Sequence, residues 1–478
     1  MVSGTSRRKL SLGIGAGALT ALLAVPANRF FNGRTDQPSR TRTCAVKAGA
    51  VPVVPLPLQR VDVPAAAFPV AALPASGYLV DAQQRPFLIV GDAAWSLLTQ
   101  IDREDADFYL NDREARGFNT LLVNLIEHRF SDHAPANFYG DSPFLNGEAF
   151  RDPNPKYFDY AEQILRNAAS RGLLILLAPA YTGAGGGVDG WYGAMEASGP
   201  ELLREYGRFV GRRFGSFSNI IWLHAGDYSP PNKGLSAAVA RGILDVLKDS
   251  IHTVHNGPEV NGTEYWSNDQ IPITIDTLYT YAPVAGRALA LSKRSQPFVL
   301  IESRYENAEA GTPLRTRIQA WQAVLSGAAG QIYGNELVWN FNASVSGARK
   351  AAWRAELGSP GALSMSHLSE FLWSIEWFNL RPAAELVDEG VLQGHYQAVA
   401  AVAKDRRTAV VYLPSSRQIG VDVGGLHGDR IQASWYDPAT GEMVVAEGLR
   451  FLSPSRHLLK APKCSRDGDW VLLLTSLA

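Results

Sequence analysis

The chain has 478 residues, of which 46% are hydrophobic and 10% aromatic, so it is long enough for one large domain and a smaller one. With 45 basic and 46 acidic residues it has a formal net charge of -1, which offers no general positive field for a phosphate backbone or an anionic membrane surface. This balance argues against nucleic acid as a partner, while eleven Trp and seventeen Tyr residues lean weakly toward carbohydrate.

The N-terminus has the composition of an export signal. Ser6-Arg7-Arg8-Lys9-Leu10-Ser11 precedes an apolar run rich in Gly and Ala over 12–24, which ends in Val25-Pro26-Ala27. Paired arginines before such a run predict a twin-arginine signal peptide at 1–27. A membrane anchor is the alternative, but the run is short for a bilayer span and is interrupted by Gly. We therefore expect a periplasmic or secreted protein without a stable membrane anchor.

The next part of the chain predicts a linker followed by a barrel. Residues 28–76 are rich in Pro, Ala and Val without periodicity, which is typical of a linker or an extended strap. From residue 77 onward, short apolar runs alternate with amphipathic stretches such as 157–169, 200–214, 238–247 and 312–325. The runs have the composition of buried parallel strands and lie at 86–91, 119–124, 173–178, 219–223, 250–255, 276–280, 297–302 and 330–334. Eight strands in about 260 residues predict an α/β fold, a (β/α)8 TIM barrel over 77–384.

The pattern changes again in the last quarter of the chain. A helix is predicted over 361–371, and short alternating strands at 396–403, 408–413, 431–435 and 470–474 predict an antiparallel β-sandwich over 385–478. A turn is expected at 437–441. The only two cysteines, Cys44 and Cys464, would be able to form a disulfide under the oxidising conditions outside the cytoplasm.

Polar and aromatic side chains follow the predicted strands. In this kind of barrel the active site forms at the carboxyl ends of the strands. In chain order the side chains there are Asp92, Trp95, Asn124, Glu127, His128, Tyr181, Trp191, His224, Asp227, His255, Asn256, Tyr279, Tyr281, Glu302, Arg304, Tyr305, Glu336 and Trp339. Carboxylates, amides and aromatic rings, without a serine elbow, a phosphate loop or a dinucleotide glycine pattern, indicate a sugar site that needs no cofactor.

Two of these carboxylates are predicted to be catalytic. Cleavage of a glycosidic bond needs one carboxyl group to protonate the leaving oxygen and a second to attack or to activate water, and the two must face each other across the barrel mouth. Strands four and seven are opposed in this sense, which selects Asp227 as acid/base and Glu302 as nucleophile. We expect Arg304 to hold Glu302 ionised and an apolar wall including Trp222 and Tyr228 to raise the pKa of Asp227.

The other side chains at the strand ends are assigned to substrate binding. Asp92 and Glu336 are expected to bind sugar hydroxyls and Trp191 and Trp339 to stack on sugar rings, with capping, ion pairing or packing as the alternatives. The remaining predicted contacts are Trp95, Asn124, His128, Tyr181, His224, Tyr279, Tyr281, Arg304 and Tyr305. No metal is predicted, because the spacing of His128, His133, His224 and His255 fits no ligand set on a helix face or along a strand.

Several segments resemble a known family. They are Pro86-Phe87-Leu88-Ile89-Val90-Gly91-Asp92-Ala93-Ala94-Trp95, Ile220-Ile221-Trp222 with Gly226-Asp227, Glu302-Ser303-Arg304-Tyr305-Glu306 and Ala329-Gly330-Gln331-Ile332-Tyr333-Gly334-Asn335. They resemble the apiosidase-like barrels of glycoside hydrolase family 140, from about residue 77 to 382. The segments 433–442 and 469–472 resemble the collagen-binding-type sandwich domain that often follows this barrel. The resemblance implies a retaining mechanism with Asp227 as acid/base and Glu302 as nucleophile.

The chain departs from the family at two positions near these carboxylates. It has Ala225 where the family commonly has Gly, and Ser303 where the family has Pro after the nucleophile. The family name suggests apiose-containing pectin side chains as substrate, and other furanosides or bacterial glycans are alternatives. A catalytically inactive carbohydrate-binding protein and a metal-dependent hydrolase on the same barrel are the competing hypotheses, and the presence of both carboxylates favours the glycosidase.

Overall fold

Eight parallel strands form the centre of the structure. The computed structural model describes residues 63, 65–73, 76–341, 352–444, 451–463, 465 and 467–477; the predicted signal peptide and both cysteines lie outside them. The strands, labelled β1 to β8, are Ile89–Ala93, Thr120–Asn124, Leu174–Ala178, Ile220–Ala225, His252–His255, Asp276–Tyr279, Phe298–Glu302 and Gly330–Tyr333. They confirm the eight predicted runs, with ends that differ by a few residues, and the predicted barrel.

The sheet is a nearly closed barrel. Its strands pair in the order β5-β4-β3-β2-β1-β8-β7-β6. The remaining gap between β5 and β6 is bridged by hydrogen bonds from the Thr274 N–H to the His252 carbonyl (2.9 Å) and from the Thr253 hydroxyl to the Ile275 carbonyl (2.8 Å). Consecutive parallel strands thus bring all eight carboxyl ends to one mouth.

Strand side chains alternate between two hydrophobic cores. Leu122 and Ile221 belong to the cluster that fills the barrel interior, whereas their neighbours Val123 and Trp222 belong to the cluster between the strands and the helices. This alternation is the ordinary period of two along a strand. It decides which side chains at the mouth can reach a substrate.

Helices surround the strands of the barrel. Helices α1 to α8 are Arg103–Ala115, Pro155–Ser170, Tyr192–Phe214, Lys233–Val246, Gly262–Tyr265, Val284–Leu291, Pro313–Leu325 and Pro360–Trp373. Side-chain caps begin several of them: Asp102 accepts from the Asp105 N–H at 2.8 Å and Thr312 from the Arg315 N–H at 3.2 Å. Proline occupies the first turn of α2, α7 and α8, where its missing N–H costs nothing.

A small antiparallel sheet closes the amino end of the barrel. It consists of Ala71–Ala72, Leu79–Val80 and Pro86–Phe87. Leu79 and Phe87 are buried in the same cluster as the interior of the barrel. The end of the stretch predicted as a linker or strap therefore contributes one of the strands that plug the barrel floor.

The C-terminal domain is built from antiparallel strands. They are β9 to β18: Leu380–Pro382, Val387–Glu389, Val399–Ala403, Thr408–Leu413, Gln418–Asp422, Ile431–Asp437, Glu442–Val444, Phe451–Leu452, Arg456–Lys460 and Trp470–Ser476. One sheet has the order β9-β11-β12-β18-β14-β15, with β16 paired to β14, and the second has the order β10-β13-β17. The predicted turn joins β14 to β15, with Gly441 at φ 75° and its N–H donated to the Asp437 carbonyl at 2.9 Å.

A buried ion cluster links α7 to the sandwich. Arg317 of α7 donates to Asp469 at 2.9 and 3.0 Å and to Asp467 at 2.7 Å, and Tyr412 of β12 donates to Asp469 at 2.9 Å. The side chains of Arg317 and Asp469 are 1% and 0% exposed. Beside this cluster the Trp321 and Tyr412 rings stack at 5.7 Å. The sandwich is therefore packed onto the barrel wall through a hydrophobic and ionic interface.

Within the described residues, no helix combines the length and apolar character needed to cross a bilayer.

Candidate active site

A pocket of about 250 Å³ opens at the carboxyl ends of the strands. Its wall combines carboxylates, aromatic rings and one guanidinium, contributed by Trp95, Phe130, Tyr181, Ala184, Asp189, Asp227, Tyr281, Glu302, Ser303, Arg304, Tyr305, Ala308, Glu336 and Trp339. Both predicted catalytic carboxylates are among them. The mouth of the barrel thus brings together residues that are far apart in the sequence.

Asp227 follows β4 on a backbone that few residues adopt. Ala225, Gly226 and Asp227 have φ values of 65°, 134° and 50°, and a left-handed conformation at a residue other than Gly costs about 1 to 3 kcal/mol. A Cβ on Gly226 would lie 2.2 Å from the Tyr181 ring, so only glycine fits there. The turn aims the Asp227 carboxyl at the pocket, where Oδ2 accepts from the Tyr181 hydroxyl at 2.7 Å and Oδ1 is buried without a hydrogen-bond partner.

Glu302 reaches the barrel interior through an irregularity in β7. Val299 and Ile301 face the interior and Leu300 faces outward, so simple alternation would place Glu302 outside as well. The pairing of β7 with β6 shifts register between Leu300 and Glu302, as in a β-bulge that redirects a side chain. Burial and the Asp227 charge raise the pKa of the Glu302 carboxyl, while a hydrogen bond with a histidine lowers it.

That histidine is His255, at the end of β5, which lies between the two carboxyl groups. Its Nε2 lies 3.0 Å from Glu302 Oε2, and its Nδ1 lies 3.1 Å from the Asp227 backbone N and 3.3 Å from Asp227 Oδ1. Burial opposes a charge on this ring, whereas the carboxylates Asp227 and Glu302 favour it and leave the pKa of His255 raised. The sequence places His255 at a strand end but assigns it no role beside the two carboxylates. The signal that would have identified it is strand alternation, because it faces inward like Thr253, two residues earlier.

Aromatic side chains surround the two carboxyl groups. The Trp95 ring packs against Tyr181 at 5.4 Å and against His255 at 5.5 Å, and its Nε1–H donates to the Tyr305 hydroxyl at 3.2 Å. Tyr281 donates to Glu302 Oε1 at 3.4 Å, and its hydroxyl lies 2.7 Å from that of Tyr279. Flat rings around two carboxyl groups form a cavity suited to a sugar ring.

The structure brings most of the predicted binding residues to this pocket. Those that line it are Trp95, Tyr181, Tyr281, Arg304, Tyr305, Glu336 and Trp339, and Tyr279 lies behind Tyr281. Arg304 does not contact Glu302 as expected; its guanidinium lies 4.4 Å above the Tyr281 ring. Its backbone is held by the Gln319 side chain of α7, through bonds of 3.1 and 3.0 Å. Phe130, Asp189 and Ser303, which were not predicted to bind substrate, also line the pocket.

Two predicted contacts face the wrong side of the barrel wall. The Asp92 side chain lies on the same face of its strand as Val90, which packs against the helices. Its carboxyl group accepts hydrogen bonds from Tyr109 at 2.7 Å and from Arg113 at 3.2 Å. The His224 side chain lies on the same face of its strand as Trp222. Its ring stacks on that of His252, and its Nε2 lies 2.8 Å from His252 Nδ1. Both are buried between strands and helices, so neither can bind substrate. Trp222, expected beside Asp227, is outside for the same reason.

Three further predicted contacts support loops and do not line the pocket. Asn124 donates to Glu127 at 3.2 Å beneath the loop that follows β2. The His128 ring lies against the Val188 carbonyl at 2.9 Å and packs on Trp191 at 4.7 Å. Trp191 is buried with Nε1–H directed at the Ile126 carbonyl. None of the three is among the residues that line the pocket, so this arrangement does not support sugar contacts by Asn124 and His128 or stacking by Trp191.

Replacing Asp92 with Asn tests whether its side chain lies outside the pocket. Arg113 keeps its contact with Asp112, so losing the Asp92 charge is expected to lower the free energy of unfolding by about 1 to 3 kcal/mol. The kinetic constants of the folded enzyme should not change, because the side chain does not reach the pocket. Urea unfolding and initial rates on the same preparation measure both quantities. A changed KM with unchanged stability would contradict this placement.

The group formed by Asp227, His255 and Glu302 could also be considered as a metal site. One ligand atom from each lies within 4.8 Å of the other two. The imidazole, however, already uses both nitrogens: the Asp227 N–H points at Nδ1, and Nε2 faces Glu302. A histidine ligand needs a free lone pair aimed at the ion, and this ring offers none. The arrangement fits a carboxylate pair bridged by histidine better than it fits a metal centre.

The barrel and its paired carboxylates define the class: this is a protein with a glycoside-hydrolase-like barrel. A family model described as "Apiosidase-like, catalytic domain" matches residues 74–379, and one described as "Putative collagen-binding domain of a collagenase" matches residues 381–475. The first match covers most of the chain, so the chain belongs to the apiosidase-like family.

Solved structures agree on the fold. A glycoside hydrolase family 5 protein from Bacteroides vulgatus ATCC 8482 matches with a TM-score of 0.74 and 20% identity, over 85% of this chain and 93% of that one. A structure named "Glycoside hydrolase" matches with a TM-score of 0.73 and 22% identity, over 85% and 96% of the two chains. No curated protein matches the sequence. At these identities the structures are similar in architecture, and the site has to be argued from its own residues.

Proposed function

We propose that the protein is an exported, retaining glycoside hydrolase that cleaves a glycosidic bond in a plant or microbial polysaccharide. The observation that carries the proposal is the short separation of two carboxyl groups, with an oxygen of Asp227 and one of Glu302 within 4.8 Å of each other. Retaining enzymes hold the two groups about 5 to 5.5 Å apart, whereas an inverting pair stands about 6.5 to 9.5 Å apart to admit a water molecule. The closer spacing supports retention.

The geometry supports a two-step reaction. Glu302 attacks the anomeric carbon while the bond to the leaving oxygen breaks, and that oxygen takes the proton of Asp227. Asp227, now an anion, accepts a proton from water as the water attacks the same carbon and releases Glu302. Tyr181 and Tyr281, each bonded to one carboxyl group, hold the two at the required separation.

Arg304 gives the pocket a positive rim. Its guanidinium lies over Tyr281, and Arg315 lies beside it with Nη2 3.5 Å from the Tyr281 carbonyl. Among the residues that the structure describes, no carboxylate lies within ion-pair distance of either guanidinium. We therefore expect Arg304→Gln to lower kcat/KM about tenfold for glycans that carry a carboxylate or sulfate near the cleaved bond, and to leave neutral glycans unaffected.

The measurement compares initial rates on an acidic glycan and its carboxyl-reduced form. Arg166→Gln, which removes an exposed guanidinium paired with Glu162 on α2, is the matched control and should change neither rate. Equal losses on both substrates would show that Arg304 supports the pocket without recognising charge.

A panel of plant and bacterial polysaccharides, with and without a chelator, tests the proposed function. Purified mature protein is expected to release reducing sugar from at least one of them with chelation having no effect, and proton NMR during the first minutes should show a product of unchanged anomeric configuration. Inverted product would overturn retention. Release lost on chelation would indicate metal-dependent hydrolysis, and binding without release would indicate a carbohydrate-binding protein.

A further inference from the structure

We propose that His255 is a positioning residue that places the single proton of the carboxylate pair on Asp227 and keeps Glu302 ionised. The proposal rests on the function proposed above, in which the reaction starts from a protonated acid/base and an anionic nucleophile. Two carboxyl groups this close resist losing both protons, so the pair retains one proton over a range of pH. The surroundings of the two carboxyl groups determine which of them holds this proton.

The His255 ring is fixed in one orientation. It is fully buried, with Trp95 at 5.5 Å on one side and Tyr279 at 5.0 Å on another. Its two nitrogens therefore each face a different carboxyl group, Nδ1 the Asp227 side and Nε2 the Glu302 side. No other described histidine contacts either carboxylate within 4 Å.

Backbone geometry selects the tautomer of this ring. The N–H of Asp227 points at His255 Nδ1 from 3.1 Å, and a donor can be received only by a nitrogen that carries a lone pair. The ring proton must then be on Nε2, which lies 3.0 Å from Glu302 Oε2. His255 thus donates to Glu302, and a hydrogen bond of this kind stabilises the ionised carboxylate.

The same tautomer disfavours a charge on Asp227. Oδ1 of Asp227 is buried, lies 3.3 Å from the Nδ1 lone pair, and has no hydrogen-bond donor. A buried anionic oxygen without a donor is costly, whereas a neutral carboxylic acid is much less so. Glu302 receives donors on both oxygens, from His255 and Tyr281, whereas Asp227 receives one only on Oδ2, from Tyr181. The two carboxyl groups therefore have different surroundings. The proton therefore belongs to Asp227.

Four described tyrosine hydroxyls interact electrostatically with Glu302, and they do not compete for the proton near neutral pH. They belong to Tyr181, Tyr279, Tyr281 and Tyr305, and burial raises the pKa of all four. Among the described residues, the carboxylates that favour a charged imidazole are Asp227 and Glu302. Protonation of Asp227 removes one of these charges, and the Asp227 N–H directed at Nδ1 then favours the neutral ring.

The pH dependence of kcat/KM tests this role on the glycan that the panel identifies. In His255→Leu, Glu302 loses a donor and Asp227 Oδ1 no longer faces a lone pair. The acidic limb should therefore move to higher pH and the alkaline limb to lower pH, by about one to two units. His255→Gln, whose amide can still donate to Glu302, should restore the acidic limb alone. His224→Gln, at a buried histidine outside the barrel wall, is the control and should move neither limb.

A second readout does not depend on substrate. Nitrogen NMR of the imidazole rings, assigned by difference from His255→Gln, should show a neutral ring with its proton on Nε2 at neutral pH. A doubly protonated ring, a proton on Nδ1, or a lower rate in His255→Leu with both limbs in place would overturn the proposal. Activity that survives in Glu302→Gln would instead overturn the proposed function, so the two failures are distinguishable.

Discussion

Glu302→Gln is expected to lower kcat by about four orders of magnitude or more, because an amide cannot form the glycosyl-enzyme intermediate. The substitution is nearly isosteric and keeps a side chain that can contact His255 and Tyr281, so the fold should be unchanged. Initial rates on the identified glycan measure the loss. Glu162→Gln, which neutralises a carboxylate of α2 that pairs with Arg166, is the matched control and should retain full activity. Similar losses in both variants would contradict the assignment of the nucleophile.

External azide distinguishes the two catalytic roles. In Asp227→Ala the glycosyl-enzyme still forms on a substrate with a good leaving group, so azide attacks it and gives a product of retained configuration. In Glu302→Ala azide takes the place of the nucleophile and gives the inverted configuration. The opposite pattern would exchange the roles of Asp227 and Glu302.

Arg317→Ala is expected to lower the free energy of unfolding by about 3 to 5 kcal/mol, because it leaves Asp469 charged and buried. Among the described residues, the Tyr412 hydroxyl is then its remaining side-chain donor. Urea unfolding followed by tryptophan fluorescence measures the loss. Trp321 and Trp470 lie close to this interface, so the signal reports on it directly. An unchanged unfolding midpoint would contradict the role of the cluster.

Two comparisons identify the cause of that loss. Arg166→Ala removes an exposed ion pair with Glu162 and should cost less than about 1 kcal/mol. The double variant Arg317→Met with Asp469→Asn removes both charges and should recover much of the stability, because the uncompensated buried charge is gone. A double variant as unstable as Arg317→Ala would attribute the loss to packing.

Sequence patterns predicted the strands well because the physical signal for them is local. Most barrel strands are rich in apolar residues and buried on both faces, as in Leu174–Ala178. The same reasoning placed Asp227 and Glu302 at opposed strand ends, and the structure brings them together. Boundaries between domains were drawn from composition alone and remain predictions.

The direction in which a side chain points was harder to predict. Asp92 and His224 lie near the carboxyl ends of their strands, but the alternation of side chains along a strand directs both toward the helices. The same alternation would direct Glu302 toward the helices, but a register shift in β7 directs its side chain into the barrel interior. His255 was overlooked because its importance comes from Asp227 and Glu302, which are 28 and 47 positions away in the chain. Contacts between side chains on different strands cannot be predicted from the residues next to them in the sequence.

Helix α7 joins the two halves of the molecule at the level of single side chains. Gln319 holds the backbone of Arg304, two residues beyond Glu302, and Arg317 on the same helix is buried in the ion cluster of the sandwich. The C-terminal domain is therefore part of the scaffold that supports the nucleophile strand, and cutting the chain after β8 would remove a wall of the catalytic domain and expose a buried guanidinium. If the sandwich binds a surface, the barrel mouth is held in a fixed position relative to that surface.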